Sequence, residues 1–151
     1  MEFDDLYQEI ILDHYRNPRN AARLDFINNE FVHENPSCGD SFKVHVAVGE
    51  SGNIEEVTFD GHGCAISTAS ASMMSELLIG KPQAKVDEII QTFIGALRGD
   101  VKKEALDEMG DIAALKSITQ YPVRIKCATL AWHAVQDALT RENRQRKTGD
   151  S

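Results

Sequence analysis

The alternation of apolar and polar residues predicts a β-hairpin in the first half of the chain. Between residues 41 and 48 apolar side chains occupy every second position, at Phe42, Val44, Val46 and Val48. A period of two is typical of a half-buried strand. Residues 49–53 contain two glycines and predict a turn, and residues 54–61 predict the returning strand. Residues 29–34 are expected to be extended.

Elsewhere the apolar residues recur at helical spacing. Residues 3–16 predict an amphipathic helix with Leu6, Ile10 and Tyr15 on its apolar stripe, ended by Asn17-Pro18. Further helices are predicted over residues 65–79, 84–98, 112–118 and 123–142, with a charged connection over residues 99–111.

The order of these elements, strands first and helices later, is typical of an α+β fold. We expect a small antiparallel β-sheet with helices packed on one face. The length of 151 residues fits one domain. We assign residues 1–142 to this domain and residues 143–151 to a flexible polar tail. A chain of this length buries about 70% of its unfolded surface, so it should not need a metal in order to fold.

The charge of the chain excludes some classes of function. A formal net charge of −8 argues against a general nucleic-acid binder, which would present a basic face. No run of 18 apolar residues predicts a membrane span, and the acidic N-terminus is unlike a signal peptide. We therefore expect a cytoplasmic protein without nucleic-acid or membrane partners. In that compartment its three cysteines should be reduced.

Three cysteines and one aspartate form the candidate chemical site. Cys38 precedes the predicted hairpin and Cys64 follows it, 64 − 38 = 26 positions later. A hairpin returns its ends to one place, so the two thiols are expected to meet. Asp40 is close to Cys38, and Cys127 joins them if the last helix docks there. Three thiolates and one carboxylate suit a four-coordinate zinc ion, and the single oxygen ligand favours a site that exchanges what it holds.

Two sequence positions add to this interpretation. Cys64 lies at the predicted start of a helix, where the macrodipole favours a thiolate. Arg124 is three residues before Cys127, so both share a helix face, and its guanidinium can stabilise an anionic sulfur species. Simpler interpretations exist for each residue. A single cysteine is often a small buried hydrophobe, and Arg124 can be a solvated surface side chain. His62 is a rival ligand that ranks below Asp40.

Four motifs carry a resemblance to a known family: HYRNPRN (14–20), NPSCGD (35–40), GHGCAISTASASMM (61–74) and RIKCATLAW (124–132). Together and in this order they resemble the IscU/NifU-N superfamily of iron–sulfur cluster assembly proteins, over nearly the whole chain. The resemblance implies a small antiparallel sheet with helices on one side. It also implies that the metal ligands are Cys38, Asp40, Cys64 and Cys127.

Three departures from the IscU pattern are similar to the SufU-type branch of the superfamily. Lys126 stands immediately before the third cysteine, where IscU-type proteins carry a histidine. The stretch YPVRIK (121–126) replaces the LPPVK motif, and the stretch between Cys64 and Cys127 is longer, around residues 87–111. The SufU branch implies a zinc-dependent sulfurtransferase that accepts persulfide sulfur from a SufS-type cysteine desulfurase. Its product would pass to downstream Suf assembly proteins.

The resemblance also implies individual roles. Cys38 is the expected sulfur acceptor, since it lies on a loop beside Gly39, and Arg124 matches an arginine implicated in sulfur transfer. Asp40 would keep the zinc site exchangeable. Two alternatives stay open: a scaffold that holds a transient [2Fe–2S] cluster on the same four ligands, and a structural zinc domain. Chain length and the aspartate ligand argue against the second. The HYRNPRN segment fits a docking surface or simple packing equally well.

Overall fold

A computed structural model gives the fold of the chain. It describes the backbone of residues 3–22, 31–35 and 40–149, and the side chains of residues 7–22 and 41–140. The helices, strands and two 3₁₀ helices follow one another as α1 (Phe3–Arg16), β1 (Phe31–Asn35), β2 (Asp40–Val48), β3 (Ile54–His62), α2 (Ala65–Leu78), α3 (Gln83–Arg98), η1 (Lys103–Glu108), η2 (Gly110–Ile118) and α4 (Pro122–Gly149).

The three strands form one antiparallel sheet in the order β1-β2-β3. The predicted hairpin is β2 and β3, and the extended segment before it supplies β1. Alternation divides the sheet into two faces, because Phe42, Val44 and Phe59 are buried whereas Lys43 and His45 are only half-buried. Helix α4 packs on β1 and β2, and α2 packs on β3. The predicted α+β class, with helices on one face of a small antiparallel sheet, is confirmed.

A buried tryptophan packs three of the helices together. Trp132 of α4 stacks on Phe93 of α3, with ring centroids 3.8 Å apart and planes 10° apart. Its indole Nε1 donates to Ser70 Oγ of α2 at 2.8 Å, and Ser70 Oγ donates to the Ala128 carbonyl at 2.6 Å. A serine-rich helix can therefore be buried here, because these hydroxyls have hydrogen-bond partners.

The apolar stripe of α1 differs from the prediction. Tyr15, expected on the stripe, is 44% exposed, whereas Ile11 and His14 are buried. A hydrophobicity pattern counts histidine as polar, but His14 is accommodated in the interior by hydrogen bonds to Ser72 and Asp111. The helix is therefore turned so that His14, rather than Tyr15, faces the core.

Two element boundaries also differ. The charged connection over residues 99–111 contains η1, which Leu106 anchors by complete burial. Helix α4 continues to Gly149, although an end near residue 142 was predicted. Arginine, glutamate, glutamine and lysine have high helix propensity, so this polar stretch can remain helical without an apolar face.

In the described part of the chain, no helix combines the length and apolar character that crossing a membrane requires.

Candidate metal and sulfur site

The open end of the β2–β3 hairpin carries the first part of the predicted site. Ser41 pairs with His62 across the two strands. Asp40, the first residue of β2, and Cys64, two residues beyond β3, therefore lie at the same end of the hairpin. Cys38 lies outside the described residues, and Asp40 is described by its backbone alone. Their roles as ligands stay predictions.

A close contact between the strands precedes this end of the sheet. Gly61 of β3 has a φ of +154°, and a Cβ atom there would lie 2.1 Å from the Ser41 carbonyl oxygen. Only glycine permits that approach. The first glycine of the GHGC motif thus serves the packing of β2 on β3, a role that the sequence pattern did not indicate.

Cys64 is the N-cap residue of α2, as predicted from its position at a helix start. Its backbone is extended, with φ −69° and ψ 171°, and its Sγ accepts from the Ser67 backbone N–H at 3.5 Å. Ser67 Oγ lies 3.5 Å from the same sulfur and donates to the Cys64 carbonyl at 3.0 Å. An N–H donor and the positive end of the helix macrodipole both favour the thiolate form.

Cys127 lies in a different environment, in the second turn of α4. Its side chain is completely buried, and the next residue, Ala128, accepts the hydrogen bond from Ser70 that joins α4 to α2. Neither Cys127 nor the half-buried Cys64 is in a disulfide. Burial suits a metal ligand better than a thiol that must accept sulfur from another protein, since that acceptor needs access to solvent.

The basic residues near Cys127 are on the surface. Arg124 and Lys126 are both exposed in the first turns of α4. Arg124 is one helical turn before Cys127, but Arg124 is an exposed residue whereas Cys127 is buried. The role of Arg124 in holding an anionic sulfur species therefore stays a prediction.

Two of the four predicted ligands have side chains that the structure describes, and their donor atoms fit zinc. Cys64 and Cys127 are thiols, and thiolate sulfur is the donor type that favours zinc among common divalent ions. His62, the rival ligand, is exposed at the end of β3. Because His62 lies at the same end of the sheet as Asp40 and Cys64, its role as a rival metal ligand stays a prediction.

The HYRNPRN segment contacts α2 through part of its length, whereas residues 15–18 are exposed, so its role as a docking surface stays a prediction. The Arg19 backbone N–H donates to Ser72 Oγ at 2.9 Å, and Asn20 Nδ2 donates to Ser75 Oγ at 3.0 Å. His14 is buried, with Nε2 2.8 Å from Asp111 Oδ2. This histidine–carboxylate contact was not predicted, because the two residues are 97 positions apart in the chain.

Comparison with known proteins identifies the family. The family model of the NifU-like N-terminal domain matches residues 6–128. The zinc-dependent sulfurtransferase SufU of Bacillus subtilis (strain 168) is 38% identical over 141 residues, which cover 92% of each chain. The iron–sulfur cluster assembly scaffold protein IscU of Streptococcus pyogenes serotype M1 is 36% identical over 136 residues, 90% of this chain and 84% of that protein. The crystal structure of a candidate iron–sulfur cluster assembly scaffold for the SUF system, FiSufU of Fervidobacterium islandicum AW-1, has a TM-score of 0.74 at 28% identity, covering 91% of this chain and 99% of that chain. The chain therefore belongs to the NifU-like N-terminal domain family, as its motifs predicted.

Proposed function

We propose that the protein is a cytoplasmic zinc-dependent sulfurtransferase. It accepts persulfide sulfur from a SufS-type cysteine desulfurase and delivers it to downstream Suf proteins for iron–sulfur cluster assembly. The observation that carries this proposal is Lys126, an exposed lysine immediately before Cys127. An ammonium group cannot replace the histidine nitrogen that IscU-type scaffolds carry there. The similarity to a relative named as a zinc-dependent sulfurtransferase supports the same conclusion.

The proposed zinc ligands are Cys38, Asp40, Cys64 and Cys127. Zinc bound by this set would keep the thiols deprotonated at neutral pH and moderate their nucleophilicity. The chain also favours the thiolate form of Cys64, because the Cys64 sulfur accepts a hydrogen bond from the Ser67 backbone N–H.

Sulfur transfer itself needs no oxidant or reductant. The Cys38 thiolate attacks the outer sulfur of the desulfurase persulfide, and a new S–S bond forms on Cys38. The S–S bond of the donor breaks, and its electron pair leaves on the cysteine thiolate of the desulfurase. The reaction is fastest when the attacking thiolate has a pKa near ambient pH. Arg124, an exposed residue one helical turn before Cys127, is proposed to hold the anionic sulfur during this exchange.

The direct test is the turnover of a SufS-type desulfurase on cysteine, without iron, with and without the zinc-loaded protein. The proposal expects a large increase in the rate of alanine release. No increase, together with cluster formation once iron is added, would overturn it in favour of a scaffold.

A scaffold for a [2Fe–2S] cluster is the second candidate, favoured by the 36% identity to a relative named as a scaffold. The same three thiols and carboxylate can hold a cluster. The colour of the purified protein distinguishes the two functions, since a cluster absorbs visible light and a zinc–thiolate site does not.

Replacement of Arg124 by alanine is expected to lower the stimulated desulfurase rate by about tenfold or more. A hydrogen bond to a charged group contributes about 1.5–3 kcal/mol, and each 1.4 kcal/mol corresponds to about a factor of ten. Lys126→Ala is the matched control, because Lys126 is also exposed but lies about 200° away on the helix. Equal rates in the two variants would contradict a specific role for Arg124.

Removal of zinc is expected to leave the fold intact. The core is built around Trp132, Phe93 and Ser70 through contacts that involve no metal. Circular dichroism of the chelated protein should retain its helical signal and a cooperative thermal transition. The melting temperature should fall, because a ligand that binds the folded state stabilises it. Loss of the cooperative transition would instead support the structural zinc domain.

A further inference from the structure

A second cluster of potential metal ligands lies where α1, α2 and η2 meet. His14 Nε2 is 2.8 Å from Asp111 Oδ2 and 3.9 Å from Glu76 Oε1. The three ligand atoms all lie within 4.8 Å of one another. Two donors bound about 2.1 Å from one ion at right angles are about 3.0 Å apart, so small shifts of two half-exposed carboxylates would suffice.

The imidazole of His14 is held in the orientation that a ligand requires. Its side chain is completely buried, and Nδ1 lies 2.7 Å from Ser72 Oγ. With a cation at Nε2, Nδ1 carries the proton and donates it to that hydroxyl, which also accepts the Arg19 backbone N–H. A second hydrogen bond of this kind fixes the ring of a metal-binding histidine.

The charges around Nε2 favour a dication. Glu76 and Asp111 bring two carboxylate groups to His14 Nε2. The nearby Arg19 is engaged mainly elsewhere, since its guanidinium donates to Asp13 at 2.7 Å whereas its Nε is 3.7 Å from Glu76. The hydrogen bond from Arg19 also lowers the pKa of the Asp13 carboxyl. Arg19 also attracts Glu76 and Asp111 at longer range, so it offsets only part of the negative potential at His14 Nε2.

Space for further ligands is present beside the cluster. A cavity of about 190 Å³ is lined by His14, Glu76 and Asp111 together with Met73, Leu77 and Met109. Several water molecules, each occupying about 30 Å³, fit within this volume. Three protein donors and bound water would complete the coordination shell that Mn²⁺, Fe²⁺ or Zn²⁺ requires.

We propose that His14, Glu76 and Asp111 form a second, mixed nitrogen–oxygen site for a divalent first-row transition cation. The site is separate from the thiol site. Glu76 follows Cys64 by 12 residues along α2, which corresponds to about 18 Å of helix. The cation takes the place of the hydrogen bond between His14 Nε2 and Asp111, the imidazole keeps its one proton on Nδ1, and the bound ion ties η2 to α1 and α2. This inference does not depend on the sulfurtransferase proposal.

The test uses Mn²⁺ and the full-length, zinc-loaded protein. Mn²⁺ favours oxygen and nitrogen donors and does not displace zinc from thiolates, so the thiol site stays filled. Bound Mn²⁺ is counted by the loss of the aqueous electron paramagnetic resonance signal during titration, and zinc retention is checked by elemental analysis. We expect about one bound Mn²⁺ per chain.

Two isosteric variants and one control locate the ion. Glu76→Gln and Asp111→Asn keep the side-chain shape and should each weaken Mn²⁺ binding by at least about tenfold. Glu56→Gln is the control, because Glu56 contacts His45 at 3.8 Å and, among the described residues, no second carboxylate completes a three-ligand group with that pair. Melting curves without Mn²⁺ verify that each variant is folded. Absence of Mn²⁺ binding by the unmodified protein, or unchanged binding in either cluster variant, would overturn the proposal.

Discussion

Replacing Cys38 with alanine is expected to reduce the desulfurase rate to that of the desulfurase alone. The reason is that neither of the two remaining thiols is well placed to accept sulfur from another protein. Cys127 is completely buried, and Cys64 is held as the N-cap of α2 by Ser67. Alanine has no nucleophile, so the proposed S–S exchange has no acceptor in this variant. Initial rates of alanine release, measured without iron, give the result directly.

Loss of a ligand can also remove zinc, so the acceptor needs a separate measurement. Cys127→Ser removes a proposed ligand but leaves the Cys38 thiol in place. After a single desulfurase turnover, mass spectrometry of peptides should find one added sulfur on Cys38 in the unmodified protein. In Cys127→Ser the sulfur should still be found on Cys38, but it should be added more slowly, because less zinc is bound to keep that thiol deprotonated. Cys38→Ala should carry none. Full stimulation by Cys38→Ala, with the added sulfur on Cys64, would assign the acceptor to the helix N-cap instead.

Gly61→Ala is expected to destabilise the protein by about 2–6 kcal/mol. Two costs add here. A side chain at a φ of +154° strains the backbone by about 1–3 kcal/mol, and a Cβ 2.1 Å from the Ser41 carbonyl oxygen forces β2 and β3 apart at a cost of about 1–3 kcal/mol. The paired strand carries Phe42, which is buried in the core. The free energy of unfolding from urea titrations measures the sum.

Gly52→Ala separates the two contributions. Gly52 lies in the turn at the other end of the same hairpin, with a φ of +89°, and a Cβ atom added there would have no neighbouring atom within 4 Å. This variant should therefore show the backbone cost alone. If Gly61→Ala costs no more than Gly52→Ala, the close approach of the strands has no energetic weight. A larger cost in Gly61→Ala, with reduced zinc affinity, would connect strand packing to the proposed metal site.

The sequence was informative wherever a structure depends on neighbouring residues. Apolar alternation predicted the β2–β3 hairpin, because the side-chain period of a strand is a property of its backbone. The position of Cys64 at the start of α2 was predicted in the same way and is confirmed by its N-cap geometry. The four motifs identified the family. The assignment of Cys38 and Asp40 as ligands rests on those motifs and stays a prediction.

Only the tertiary structure decided which of the predicted side chains are accessible. Arg124 and Cys127 share one helix row, yet Arg124 is exposed and Cys127 is buried, next to the Ser70–Ala128 hydrogen bond that joins α2 to α4. Nothing in the local sequence encodes that contact.

The histidine cluster and the glycine contact have the same origin. His14 meets Asp111 across 97 positions, and Gly61 meets Ser41 across the hairpin. Local sequence determined the helices, the hairpin and the positions of the thiols along the chain. Packing between distant segments decided which of these groups meet and which reach solvent, because burial is set by the surfaces that cover a residue and not by its neighbours in the chain.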